Sequence, residues 1–192
     1  MGLFNGLYER TMRWSRSPRA PWYLAALSFA ESSFFPIPPD VMLAPMSLAR
    51  PARALGLAGL TTLASVLGGF LGYAIGYFAF EAVEPLIRDL GYWEKYATAR
   101  AWFDTWGFWA VLLAGFSPIP YKVFTIAAGS LSMALLPFAA ASLVGRGTRF
   151  LLVALLMAWG GPRLERVLRD YIEGIGWLLV VAAGVAYLVL RS

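Results

Sequence analysis

The chain has 192 residues, of which 59% are hydrophobic, and its mean hydropathy of +0.64 is well beyond what a soluble domain of this size needs. Sixteen basic residues against eleven acidic ones leave a net charge of +5; with no soluble basic domain or tail to hold nucleic acid, that excess is read as setting membrane orientation and contacting anionic lipid. The absence of Cys and His excludes disulfides, thiol chemistry, His-based acid–base catalysis and the usual zinc sites.

Residues 2–17 place Leu3, Phe4, Leu7, Tyr8 and Met12 on one helical face and Glu9, Arg10, Arg13 and Arg16 on the other. This spacing predicts an amphipathic helix lying at the membrane interface, with no signal-peptide pattern. Residues 22–35 are apolar except for Glu31, and end at Pro36-Ile37-Pro38-Pro39-Asp40. Prolines one residue apart end a helix, because each lacks an N–H and clashes with the preceding turn. About 14 residues at ~1.5 Å each cannot cross a ~30 Å hydrocarbon core. The leg after the break, to position 49, is shorter still. Residues 22–49 could form one broken spanning helix or a re-entrant hairpin, and the hairpin is expected because it leaves Arg50 and Arg53 on the same side as the N-terminal arginines.

Residues 55–80 are long enough to span and carry Gly68, Gly72 and Gly76, one face of small residues suited to close helix packing. An acidic, aromatic outer connector is expected over 81–105. Then Pro118-Ile119-Pro120 repeats the first break, followed by a base, Lys122, where the first is followed by an acid, Asp40. Residues 106–136 read as a second re-entrant hairpin entering from the opposite side, 138–160 as a spanning helix, 163–173 as an inner surface helix and 174–190 as a last span. The fold class expected is an all-α integral membrane protein: two inverted repeats, each a re-entrant hairpin followed by a spanning helix, with interfacial helices and a C-terminal span.

Glu31, Asp40, Lys122, Arg146 and Arg149 fall at or near hydrocarbon depth, where a lipid-facing charge costs several kcal/mol. One reading is a hydrated site in which Lys122, Arg146 and Arg149 hold an anionic head group while Glu31 or Asp40 exchanges a proton. The other is structural ion pairing between the hairpins. The backbone freed at Pro36, Pro38, Pro118 and Pro120 must in either case line protein or water.

Three stretches carry a family resemblance: ESSFFPIPPD from Glu31 to Asp40, GGFLGY from Gly68 to Tyr73, and FSPIPYKVFTIAAG from Phe116 to Gly129. Together they resemble the DedA family of VTT-domain membrane proteins, in its YqaA-like branch. The resemblance implies a multi-pass protein of the bacterial inner membrane that moves lipids such as polyprenyl phosphate or a phospholipid and is linked to the proton gradient, and the positive-inside tendency puts its N-terminus in the cytoplasm. It implies no cofactor. By motif position Glu31 and Asp40 match the family's acidic hairpin and Lys122 its basic one. The family pattern has two arginines flanking the proline of the second motif, and here Gly115 and Tyr121 stand nearest those positions, so Lys122, with Arg149 on the next helix, is expected to substitute. The function expected is a lipid translocase, not an enzyme, with membrane lipids as partners and protons or a second copy of the chain as further candidates. The alternatives are a proton-coupled transporter of a small ion or drug, a membrane phosphatase or lipid transferase, which the lack of His, Cys or a carboxylate cluster disfavours, and a purely structural component.

Overall fold

The computed structural model describes residues 14–15, 17–117 and 120–161, and every regular element among them is helical. Helix α1 (Ala20–Ser33) carries Pro21 in its first turn, where a missing N–H breaks no bond, and it stops ahead of Pro36. Helix α2 (Asp40–Ala49) starts directly after Pro39 with Asp40 in its first turn, at the positive end of the helix dipole. A 3-10 turn, Pro51–Arg53, leads into α3 (Ala54–Asp89), whose 36 residues make a rod of roughly 54 Å. Gly91, at φ +71°, ends it in a left-handed cap, with the Tyr92 N–H donating back to the Ile87 carbonyl. Helices α4 (Trp93–Phe116), α5 (Tyr121–Ser130) and α6 (Leu135–Gly161) complete the described chain.

Side-chain contacts fix the direction of each element along α3. Ser28 and Ser33 of α1 donate to the carbonyls of Thr61 and Gly68, so α1 runs alongside the first half of α3 in the same sense. Helix α2 folds back on α1: Leu43 and Met46 share a core with Ala20, Leu24, Ala54 and Leu57. At the other end Phe80 stacks on Tyr96 with ring centroids 4.4 Å apart, and α4 descends from there antiparallel to α3. After the second break α5 climbs again, until the Tyr96 hydroxyl reaches the Ser130 carbonyl at 3.0 Å. The two fold-back units thus approach from opposite ends of α3, and their tips meet near its middle. Helix α6 runs down beside both, with Phe138 against Tyr73 and Phe150 in the core around Leu57.

Helix α3 presents Leu55, Leu63, Leu67, Leu71, Ile75 and Phe78 outward and buries Thr61, Thr62, Ser65, Gly68, Gly69, Gly72 and Gly76. Small and polar residues inside with large apolar ones outside is the pattern of a helix whose outer solvent is hydrocarbon. By length and composition, two helices among the described residues are apolar enough to cross a membrane: α3 with its preceding turn, and α6.

The segment expected as a connector over 81–105 is helical on both sides of Gly91. Helix α3 continues past Phe80 to Asp89, and residues 93–105 are the first half of one continuous α4. The segment's charges lie at helical spacing, and Glu84 pairs with Arg88 one turn on at 2.8 Å. The first leg of the second unit is consequently 24 residues long and begins well before position 106. Pro118, residues 163–173 and 174–190, and all of the expected interfacial helix except positions 14, 15 and 17 lie outside the described residues.

A charged cavity between the two prolyl breaks

Each break exposes carbonyls that a helix would have used. The Phe35 carbonyl would find local donors at positions 38 and 39, but both are proline and neither has an N–H. Lys122, in the first turn of α5, donates to it from across the interface at 3.3 Å. At the second tip the position three residues after Ser117 is again proline, Pro120, and Arg149 of α6 donates to the Ser117 carbonyl at 2.6 Å. Lys122 thus occupies a backbone position that the prolines left open, Arg149 binds a carbonyl at the second tip, and each cation bridges separate elements.

The remaining charges pair across the same interface. Arg146 forms an ion pair with Glu31, and Arg149 pairs with Asp40 at 2.7 Å. Arg146 also donates to Ser65 Oγ at 2.6 Å and Ser32 Oγ at 3.4 Å, and its guanidinium lies between the Tyr121 and Phe150 rings, 4.9 and 4.7 Å from their centroids. Ser32 and Ser65 share a hydrogen bond of 2.7 Å, so each hydroxyl around this guanidinium has a partner. Lys122 has no carboxylate within ion-pair distance among the described residues. Asp40 Oδ1 is buried with no hydrogen-bond partner among them.

All five ionisable residues line one cavity of about 190 Å³, together with Phe35, Pro36, Pro38, Pro39 and Pro120. At ~30 Å³ per water it holds roughly six waters. With every group ionised its wall carries two negative and three positive side chains, a net +1. Helices α2 and α5 both begin at this cavity, so the positive ends of two helix dipoles face it. With this net charge, the cavity's electrostatics favour an anion over a cation. Among the described residues no group of three or more carboxylates could hold a metal ion.

The glycines of α3 let both tips reach this point. A side chain at Gly68 would run into the Phe29 backbone of α1, and one at Gly76 into the Ile126 carbonyl of α5. Gly72 lies between them, facing both Ser32 and Thr125, and Thr125 Oγ1 reaches the Ser32 carbonyl at 3.3 Å to link the tips directly. Gly115, where the family pattern would place an arginine, sits against α6: a side chain there would meet the Arg146 backbone nitrogen at 3.2 Å. That close approach brings the arginines of α6 to the second tip, so a guanidinium reaches the motif from a neighbouring helix.

Sequence reasoning missed Ser32, Ser65 and Tyr121, and it missed the carbonyls of Phe35 and Ser117 as partners. A signal for the hydroxyls was present: Ser28 and Ser32 lie one turn apart on an apolar half-helix, as do Thr61 and Ser65 on α3.

These features define a helical membrane protein with a charged internal site at broken helices. The family model of the VTT domain matches residues 36–158, and the chain belongs to that family, the DedA family. It is 50% identical over 192 residues to an uncharacterised protein of Haemophilus influenzae and 48% identical over 191 residues to an uncharacterised homologue in Histophilus somni, each alignment covering the whole of both chains. No solved structure matches the chain.

Proposed function

We propose that the protein is a lipid translocase of the bacterial inner membrane, in which the two fold-back units are re-entrant hairpins entering from opposite sides as inverted repeats. A phosphate-bearing head group, of a polyprenyl phosphate or a phospholipid, passes through the cavity at their tips while the hydrocarbon chains stay in the bilayer. The supporting observation is the convergence of Glu31, Asp40, Lys122, Arg146 and Arg149 on one cavity bounded by both prolyl breaks. Intramembrane charge on broken helices commonly marks a substrate or ion pathway. The positive-inside tendency puts the N-terminus, Arg50 and Arg53 in the cytoplasm, and proton exchange at an acidic side chain would couple movement to the proton gradient.

Purified protein reconstituted into vesicles tests this directly. Labelled phosphate-bearing lipids should change leaflet with the intact chain, and Lys122→Ala and Arg149→Ala should abolish the movement while leaving the protein folded. Wild-type rates in both variants would sink the assignment. Substrate-dependent proton flux in vesicles without such a lipid would favour a small-ion or drug transporter instead.

A further inference from the structure

The two ion pairs in the cavity wall are not equivalent. Arg146 and Glu31 are 3% and 13% exposed, and Arg146 also donates to Ser65 and Ser32 and lies against the Tyr121 and Phe150 rings. An incoming ligand would have to break several contacts to reach that cation. Arg149 and Asp40 are 22% and 21% exposed. Arg149 is held from behind by the Ser117 carbonyl, and Asp40 has only one of its two oxygens engaged, Oδ1 being buried without a partner among the described residues. Lys122 lines the same cavity, anchored among the described residues only to a neutral carbonyl, with its other N–H groups able to turn elsewhere.

We infer that Arg149 and Lys122 form the oxyanion subsite and that Asp40 is its built-in competitor, occupying Arg149 in the empty protein and giving way when a phosphate group binds. This rests on the head-group reading above and narrows it: Arg146 and Glu31 become a fixed clasp that positions the tips, and Arg146 makes no contact with the ligand. The chemistry supports an exchange of like for like. A carboxylate and a phosphate oxygen accept the same N–H groups of Arg149, but the phosphate also reaches Lys122, which Asp40 does not. The acids and bases facing Asp40 are Arg149 and Arg146 from α6, Lys122 from α5 and Glu31 from α1. None of the cavity's ionisable residues comes from α3 or α4.

Binding of inorganic phosphate to the full chain in nanodiscs, measured by calorimetry at fixed ionic strength, tests the inference through a double-mutant cycle. Asp40→Asn should bind phosphate about tenfold more tightly than the unaltered protein, since a competing charged hydrogen bond is worth a factor of that order. The gain should vanish when Asp40→Asn is combined with Arg149→Gln, because the competition takes place at Arg149. A general field effect of one lost negative charge would persist in that background, and such persistence would overturn the inference. So would an Asp40→Asn affinity that falls or stays within about twofold of the starting value. Either result, with phosphate still binding, leaves the head-group reading standing. Phosphate binding by neither the unaltered protein nor Asp40→Asn would overturn both.

Discussion

The two fold-back units end in the same Pro-Ile-Pro break and dock on the same helix, yet different forces hold them there. The first is pinned by hydroxyls: Ser28 to the Thr61 carbonyl, Ser33 to the Gly68 carbonyl, and Ser32 to Ser65. The second lies on a smooth seam, where Gly76 of α3 and Gly129 of α5 touch the backbone of the facing helix and Tyr121 packs with Phe138 and Ala128. The first unit adds three serine bonds to its close approach at Gly68, whereas the second has a single hydroxyl bond to α3, from Ser130 to the Gly76 carbonyl at 3.1 Å, and rests mainly on the absence of side chains. A shared motif therefore specifies where the backbone breaks, and the flanking residues specify how each break is held.

That contrast can be broken from either side. The largest effect is expected at Gly129→Leu, whose side chain would enter the space of the Tyr73 carbonyl; because the obstacle is backbone, the variant should give no monodisperse protein on size-exclusion chromatography in detergent. Glu31→Gln comes next, since it strands Arg146 in a buried site, and should cost about 3–5 kcal/mol in reversible unfolding. Ser65→Ala removes an acceptor from Arg146 and a partner from Ser32, and should cost about 1–3 kcal/mol by the same measurement. Tyr121→Phe deletes the hydroxyl contact with Ser142 but keeps the packed ring, and should cost about 1 kcal/mol. If Tyr121→Phe proved more damaging than Ser65→Ala, the second seam would be as dependent on polar bonds as the first. Glu84→Gln serves as the baseline: its partner Arg88 is half exposed, and the change should lie within about 0.5 kcal/mol.

Much of this arrangement is visible in the sequence because it rests on local rules. Paired prolines one residue apart stop a helix, and charges inside apolar runs need partners, so the breaks and the five ionisable cavity residues can be named without coordinates. The pairing cannot. Glu31 and Arg146 are 115 positions apart, Asp40 and Arg149 are 109 apart, and nothing local decides which acid meets which base. The full length of α3 is a further case: residues 55–80 suffice to span, and the helix continues through Glu81, Glu84 and Pro85 to Asp89 because polarity alone does not break one. The Phe35 carbonyl lies between these cases: the sequence shows that it lacks donors, and only the fold shows that Lys122 supplies one.

That last contact ties distant positions into one epistatic set. Pro38 and Pro39 matter to Lys122 through a carbonyl that belongs to none of them, 87 positions upstream of the lysine. Restoring an N–H at position 39 would give the carbonyl a local partner and leave the lysine without its anchor, whereas changing the lysine alone would strand the carbonyl. Substitutions at 39 and 122 should therefore be strongly non-additive, and the cost of losing this lysine can be read only against the residue standing at position 39.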